Sequence, residues 1–413
     1  MADGAKTVDA VEGAGVEPAE EGLDGSPFVD SHEEEADSDE TSAEDMAETE
    51  DGYEDDDLED EDYEDEDDAL YDIDAGEVDP FEGMDDDEIE RMLMESGAGA
   101  GATPVDTGGS FNFTDVPPGF KSGFVALVGR PNAGKSTLLN ACYGEKVAIT
   151  SPVAQTTRRR LRAVVNREMC QLVIVDTPGI HKPKDSLGSE LNKSALSELA
   201  DVDVVAFLID ATAPVGTGDE WVAERVAAAS APKILVLTKA DIATPEQVAS
   251  QLEAARALVD FDDEIVVSSV EGFNVEAFID LVAGYLPEGP KWFPDGMGVD
   301  ETDEAMAAEF IREKVLLLTR EEVPHAVGVL CDSIERTKKV TRVHATIYVE
   351  REGQKGIIIG KGGSMLKRIG TEARRDLERL FGSKVYLELE VKVKRAWRED
   401  EASIRRFGYS ADE

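Results

Sequence analysis

A glycine-rich segment near the middle of the chain carries residue types that bind phosphate. Residues 129–136 fit the pattern GxxxxGK followed by serine or threonine, between an apolar run and a helical pattern. In this context glycines let backbone amides curve around a phosphate, and the helix N-terminus adds positive potential. Lys135 is expected to reach the β- and γ-phosphates of a nucleotide, and Ser136 to ligate Mg²⁺. The predicted phosphate-binding residues are Gly129, Arg130, Pro131, Asn132, Ala133, Gly134, Lys135, Ser136 and Thr137.

Two further motifs stand where strands are predicted to end. Asp176 begins an Asp-Thr-Pro-Gly motif and is placed to hold the Mg²⁺ shell, while the amide of Gly179 can sense a γ-phosphate. Asp241 ends a Thr-Lys-Ala-Asp motif and can accept hydrogen bonds from N1 and N2 of guanine, which adenine lacks. The predicted guanine-binding residues are Thr238, Lys239, Ala240, Asp241, Ser268, Ser269 and Val270. The order of these motifs indicates GTP and GDP as ligands.

The motif set resembles the translation-factor-related GTPases. In that family the fourth motif usually has asparagine where this chain has Thr238. A hydroxyl can still tie this loop to the phosphate-binding loop (P-loop), although it offers fewer hydrogen bonds than an amide. We therefore expect at most a weaker nucleotide affinity, with guanine specificity kept.

Two switch loops are expected between and after these motifs. The predicted switch I residues are Gln155, Thr156, Thr157 and Arg158, and the predicted switch II residues are Asp176, Thr177, Pro178, Gly179 and Ile180. A switch I threonine ligates Mg²⁺ only when the γ-phosphate is present. The residues leave Thr156 and Thr157 open for this role, and the family pattern favours Thr156. The expected Mg²⁺ ligands are then Ser136, Thr156 and Asp176.

One position in switch II bears on the rate of hydrolysis. Ile180 stands where many regulatory GTPases carry a glutamine that orients the attacking water, and isoleucine cannot do this. We expect slow intrinsic hydrolysis, on the order of 10⁻⁴ to 10⁻² per second, and a switch that its partner resets. Asn132 resembles a residue that binds potassium in relatives, so K⁺ is the second expected cofactor beside Mg²⁺.

The C-terminal part has the pattern of a single-stranded nucleic-acid clamp. Gly360 to Gly363 form a GxxG loop between two helical patterns, as in KH domains, where such a loop holds about four nucleotides. Residues 336–406 contain 19 basic and 10 acidic residues, a net charge of +9, which favours phosphate binding. The predicted RNA-binding residues are Lys355, Gly360, Lys361, Gly362, Gly363, Lys367 and Arg368.

A P-loop GTPase followed by this module closely resembles the Era family of bacterial GTPases, over roughly residues 123–407. The most specific segments are 129–137, 155–158, 176–179 and 356–363, and Pro324-His325-Ala326-Val327 also fits the family. The resemblance implies binding of 16S rRNA and maturation of the small (30S) ribosomal subunit. It also implies a monomeric cytoplasmic protein with peripheral association with the inner face of the cell membrane. An acidic N-terminal leader and Thr238 depart from the family.

The elements that must position these residues alternate between strands and helices. Strands are predicted at 124–128, 170–176, 202–210, 233–239 and 264–268, with helices at 135–142, 220–229 and 245–259. Such alternation predicts an α/β domain with a mostly parallel sheet and helices on both faces. An α+β KH domain of type II follows, with a helix at 307–318 and strands at 342–350 and 384–396. The predicted boundaries are 1–117 for a disordered acidic extension, 118–288, 289–305 for a linker, and 306–408.

Charge is distributed unevenly along the 413 residues. Residues 1–120 hold 45 acidic and two basic residues, whereas residues 121–413 hold 46 acidic and 39 basic ones. The leader is therefore expected to be disordered. Residues 80–95 could form a short docking helix, and local helicity without a partner is the favoured alternative. The sequence has no apolar run long enough to span a membrane, no secretory signal and no CxxC motif, so membrane-spanning, secreted and zinc proteins are set aside.

Three classes of function remain: an RNA-binding GTPase switch, a related GTPase that assists tRNA modification, and an RNA-binding assembly factor that binds nucleotide without hydrolysing it. The first is favoured, because the GxxG module stands where the tRNA-modifying branch has a helical insertion. A further hypothesis concerns the leader, whose net charge of −43 could occupy the basic RNA site as a weak phosphate mimic. The alternative is a leader that makes no contact with the folded domains.

Overall fold

The computed structural model describes residues 115–183 and 185–410. The leader, its proposed docking helix and its proposed contact with the RNA site all fall on residues 1–114 and lie outside the described part. Within the described residues, no helix is long and apolar enough to cross a lipid bilayer.

The first domain is built on a six-stranded sheet with the order β2-β3-β1-β4-β5-β6. The strands are β1 (Lys121–Gly129), β2 (Leu161–Asn166), β3 (Cys170–Asp176), β4 (Val204–Asp210), β5 (Lys233–Thr238) and β6 (Asp263–Val266). All neighbouring strands are parallel except β2, which is antiparallel to β3. The predicted mostly parallel sheet is confirmed, and the antiparallel edge strand β2 was not foreseen.

Helices cover both faces of this sheet. They are α1 (Lys135–Tyr143), α2 (Ser186–Glu198), α3 (Thr217–Ala227), α4 (Pro245–Arg256) and α5 (Val275–Tyr285). Side chains alternate along the central strand β1, so that Val125 and Leu127 belong to the same buried cluster as residues of α1 and α5. Ala126 and Val128 belong to the cluster on the opposite face, with residues of α2, α3 and α4. Burial of β1 on both faces explains its continuous apolar sequence.

The second domain has the α–β–β–α–α–β order of a KH domain. Its elements are α6 (Asp303–Leu318), α7 (Val323–Ala326), β7 (Gly328–Arg336), β8 (Val340–Val349), α8 (Glu352–Ile359), a 3₁₀ turn (Lys361–Gly363), α9 (Ser364–Phe381), β9 (Lys384–Val393) and α10 (Glu401–Arg406). Strand β8 pairs antiparallel with β7 and parallel with β9. The parallel pair requires the crossover through α8 and α9, which places the GxxG turn between those helices.

The segment between the domains is packed against the edge of the first sheet. The buried Gln171 side chain accepts hydrogen bonds from the amides of Trp292 (2.7 Å) and Phe293 (3.0 Å). Further along, the amide of Val164 in β2 donates to the carbonyl of Gly298 (2.8 Å). The predicted linker 289–305 is therefore an ordered strap along β2, and α6 begins within it at Asp303.

Candidate nucleotide site, domain contact and RNA loop

The P-loop adopts the backbone geometry of a phosphate cradle. It leaves β1 at Gly129 and turns through Asn132 and Gly134, whose φ angles are 66° and 90°, into the start of α1. The buried Lys135 ammonium folds back over the loop and donates to the carbonyls of Gly129 (3.1 Å) and Arg130 (2.9 Å). Burial lowers the pKa of Lys135 to about 8, although Asp176 opposes the shift.

Three oxygen ligands meet at the start of α1. Ser136 Oγ donates to Asp176 Oδ2 (2.6 Å) and lies 2.9 Å from Thr157 Oγ1, which is itself 3.1 Å from Asp176 Oδ2. The second carboxylate oxygen of Asp176 is buried without a hydrogen-bond partner, and burial raises the pKa of this group. Hard oxygen donors around a buried, unpartnered carboxylate oxygen fit Mg²⁺.

The switch I threonine in this cluster is Thr157, which corrects the preference for Thr156. Thr156 Oγ1 is directed away and donates to the carbonyl of Val153 (2.6 Å), with Ser151 Oγ at 2.7 Å. The two neighbouring side chains therefore have different roles. Thr156 fixes the shape of the loop, and Thr157 is the threonine that lies beside Ser136 and Asp176.

A cavity of about 180 Å³ adjoins this cluster. The predicted residues that line it are Pro131, Asn132, Gly134, Lys135, Ser136, Thr137, Gln155, Thr156, Thr157, Gly179 and Lys239. Gly179 packs so closely on Pro131 that an added Cβ would lie 2.8 Å from its backbone. Thr177 is buried and donates to the carbonyl of Leu127 (2.8 Å).

Two predicted residues of the loops are directed away from the cavity. Arg130 forms an ion pair with Asp219 of α3 (2.9 Å). The Ile180 side chain is fully buried in the apolar cluster that contains residues of α2, α3 and α4. Its backbone amide donates to the P-loop carbonyl of Gly129 (3.2 Å). The Ile180 side chain therefore has no access to the cavity.

The predicted guanine loops converge at the ends of β5 and β6. The buried Thr238 hydroxyl lies within hydrogen-bond distance of the P-loop carbonyl of Ala133 (2.9 Å), which is the tie expected of a threonine at this position. Ser268 Oγ donates to Asp241 Oδ1 (2.8 Å), and the amide of Ala240 donates to the carbonyl of Val267 (3.2 Å). Among the other predicted residues, Lys239 forms an ion pair with Asp210. Ser269 is half-buried and Val270 is exposed.

Arg158 of switch I extends into the KH domain instead of the nucleotide site. Its buried guanidinium donates to the carbonyls of Val327 (2.5 Å) and His325 (3.1 Å). It also lies over the rings of Trp397 and Tyr409, each at 5.7 Å. Burial, followed by the nearby Arg312, lowers the pKa of Arg158 to about 10. The KH domain thus holds switch I directly.

An ionic cluster of the exposed Lys146 with three buried charged side chains forms a second contact between the domains. Lys146, which precedes switch I, pairs with Glu313 of α6 (2.5 Å) and Asp376 of α9 (2.8 Å). Lys314 joins the same two carboxylates, and Glu313 also accepts a hydrogen bond from the amide of Thr150 (2.9 Å). No sequence motif signalled this cluster, because its members are brought together only by domain packing.

The GxxG loop has the backbone that its glycines permit. Gly360, Gly362 and Gly363 have φ angles of 73°, 61° and 78°, and Lys361 between them is exposed. A Cβ at Gly360 would lie 2.7 Å from the Cβ of Met365, whereas positions 362 and 363 are open. The remaining predicted RNA-binding side chains, on α8 and α9, are Lys355 (half-buried), Lys367 and Arg368 (both exposed). The apolar Ile357 on α8, three residues before the loop, is also exposed.

Comparison with known proteins identifies both domains. Residues 124–239 match the family described as 50S ribosome-binding GTPase, and residues 322–398 match the KH domain family. Fold and site therefore define a GTPase domain followed by a KH domain.

Two solved structures give the particular family. The chain is 39% identical to an Aquifex aeolicus Era variant bound to GDP·AlF4⁻, with a TM-score of 0.68, covering 70% of this chain and 100% of that one. It is equally similar, at 39% identity and a TM-score of 0.68, to Era in complex with MgGDPNP and nucleotides 1506–1542 of 16S ribosomal RNA, covering 70% and 99%. The chain belongs to the Era family, and the predicted resemblance is confirmed.

Proposed function

We propose that this protein is a GTP-hydrolysing switch that binds 16S rRNA through its KH domain and assists assembly of the small ribosomal subunit. The main support is the Era structure that holds a magnesium–nucleotide complex together with nucleotides 1506–1542 of 16S rRNA. This chain covers nearly all of that protein and has both a phosphate cradle and a GxxG loop. Hydrolysis is further supported by the relative that binds GDP·AlF4⁻.

Chemically, the GTPase site needs few side chains. Ser136, Thr157 and Asp176 would hold Mg²⁺, which would neutralise charge on the phosphates. The P-loop amides and Lys135 would hold the β- and γ-phosphates, and Asp241 would select guanine. Because Arg158 fixes switch I to the KH domain, movement of switch I would be transmitted to the RNA-binding part.

Multiple-turnover GTP hydrolysis, measured with and without small ribosomal subunits, tests the GTPase part. We expect slow hydrolysis alone and faster hydrolysis with subunits, and loss of both in Lys135→Ala. Absence of hydrolysis by the wild-type protein in either condition would favour the assembly factor that only binds nucleotide. Hydrolysis stimulated by tRNA but not by small subunits would favour the tRNA-modification branch.

RNA binding is tested separately with a labelled fragment spanning nucleotides 1506–1542 of 16S rRNA. Lys361→Glu reverses the charge in the GxxG turn and should weaken binding at least about tenfold at low salt. Lys193→Glu on α2 is the matched control, and we expect its affinity to stay within about twofold of wild type. Equal affinities of the two variants would refute an RNA site at the GxxG loop.

Further expectations from the resemblance remain predictions. They are a K⁺ ion beside Asn132, a monomeric state, a cytoplasmic location and peripheral membrane association. Stimulation of hydrolysis by K⁺ over Na⁺, at constant ionic strength, tests the K⁺ site.

The leader is tested by deletion of residues 1–117. If the leader acts as a phosphate mimic, we expect its deletion to raise RNA affinity, most strongly at low salt. Unchanged affinity at every salt concentration would exclude that role.

A further inference from the structure

A polar group that faces the attacking water can orient it for hydrolysis, and Ile180 cannot supply one because its side chain is apolar and fully buried. Gln155 of switch I is a polar side chain that lines the nucleotide cavity together with the P-loop and Gly179. Its φ angle is 63°, in the left-handed region that glycine occupies more easily. A non-glycine residue in this region costs about 1–3 kcal/mol, and such strain concentrates at functional sites.

The Gln155 side chain is oriented by His181, the residue that follows Ile180 in switch II. His181 Nδ1 lies 2.9 Å from the carbonyl of Lys182, which can only accept, so Nδ1 carries the proton. Gln155 Nε2 is an amide nitrogen that can only donate, so His181 Nε2, at 2.6 Å, accepts this hydrogen bond.

The backbone of His181 is fixed in turn by Asn192 of α2. Its amide donates to Asn192 Oδ1 (3.3 Å), and its carbonyl accepts from Asn192 Nδ2 (2.6 Å). Because the amide nitrogen of Gln155 contacts His181, the carbonyl oxygen Oε1 is the acceptor that this cavity-lining side chain keeps for another partner. A carbonyl acceptor is the group that can take a hydrogen bond from a water molecule and direct its lone pair.

We propose that Gln155 orients the attacking water in GTP hydrolysis and that His181 is its positioning residue. This inference rests on the proposed GTPase function. The water oxygen forms a bond to the γ-phosphorus while the bond from that phosphorus to the β–γ bridging oxygen breaks. GDP leaves, and the water proton ends on the released phosphate. Gln155 exchanges no proton, so its contribution is orientation alone. The glutamine that regulatory GTPases place in switch II is thereby replaced by one in switch I.

The first test compares single-turnover GTP hydrolysis and GDP affinity of the full-length protein and its variants. Gln155→Gly relieves the backbone strain and should fold, yet the hydrolysis rate should fall at least about tenfold while GDP affinity changes less than about threefold. Asparagine in Gln155→Asn tolerates the same φ angle but is too short to reach His181. If this variant loses as much of the hydrolysis rate as Gln155→Gly, the flexibility of glycine is not the cause of the loss. Glu321→Gly is the matched control, since Glu321 has a φ of 59° in an exposed loop of the KH domain.

The second test concerns His181. His181→Ala should lower the hydrolysis rate, and His181→Gln, which still offers an acceptor, should restore part of it. In the Gln155→Gly background His181→Ala should have no further effect, because a positioning residue acts only through the group it positions. The proposal is overturned if the wild-type protein hydrolyses GTP and Gln155→Gly hydrolyses it at the same rate. It is also overturned if the losses of the two single variants add up in the double variant. Absence of wild-type hydrolysis would instead refute the GTPase function itself.

Discussion

The burial of Arg158 in the KH domain makes a quantitative prediction about how the two domains are held together. Arg158→Ala removes the donors to the carbonyls of Val327 and His325 and the contacts with the rings of Trp397 and Tyr409. Each buried carbonyl left without a donor costs about 1–3 kcal/mol, and a desolvated cation–π contact is worth about 1–2 kcal/mol.

Burial of the guanidinium offsets part of this stabilisation, as the lowered pKa of Arg158 indicates, and its Nε is buried without a partner. We therefore expect a net loss of about 3 kcal/mol in the stability of the KH domain for Arg158→Ala. Arg158→Met should lose less than Arg158→Ala, because both variants remove the hydrogen bonds and the desolvation cost but methionine fills space that alanine leaves empty.

Urea denaturation followed by the fluorescence of Trp397 measures this loss, in a background with Trp221→Phe and Trp292→Phe. Arg160→Ala is the matched control, because Arg160 pairs with Glu198 inside the first domain and is half-exposed. Its cost should stay below about 1 kcal/mol. If Arg158→Ala and Arg160→Ala unfold at the same urea concentration, Arg158 does not hold the domains together and the reasoning fails.

Three further predictions concern the metal site, the P-loop and the GxxG loop. Thr157→Ala should raise the Mg²⁺ concentration needed for half-maximal hydrolysis at least about tenfold, and Thr156→Ala should change it less; equal metal titrations would contradict this. In the nucleotide-free protein the pKa of Lys135 is about 8 instead of 10.5, so the unfolded chain binds more protons between these pH values. The free energy of unfolding in urea, measured relative to that of Lys135→Met, should then rise by up to roughly 3 kcal/mol from pH 8 to pH 10.5. If the difference between the two proteins does not change with pH, burial does not lower the pKa of Lys135. Gly360→Ala should cost the KH domain roughly 2–3 kcal/mol because its Cβ would clash, and Gly363→Ala about 1 kcal/mol, as thermal denaturation of both variants checks.

Much of the fold was predictable because its signals are local. Strand β3 is observed with the predicted bounds, Cys170–Asp176, since a fully buried parallel strand is apolar along its whole length. Helix α1 and helix α4 begin where predicted, at Lys135 and Pro245. Proline at the first helical position and a glycine-rich turn before a helix are start signals that do not depend on distant contacts.

Other elements lacked such signals. Strand β2 contains Arg162 and lies at the edge of the sheet, so its pattern is not continuously apolar. The segment 289–302 is rich in proline and glycine, which predicts a free linker, yet Gln171 and the edge of β2 hold it in place. Edge strands and straps owe their order to hydrogen bonds with residues far away in the chain, which the spacing of apolar residues does not reveal.

The sequence by itself determined the two domains, the order of the guanine-nucleotide motifs and the GxxG loop, because each depends on residues adjacent in the chain. Only the tertiary structure decided the directions of the side chains in switch I. Within four consecutive residues, Gln155 reaches His181, Thr156 fixes its own loop, Thr157 lies beside Asp176 and Arg158 enters the KH domain. The partners of three of these side chains are about 20 to 170 residues away along the chain, and packing brings them together.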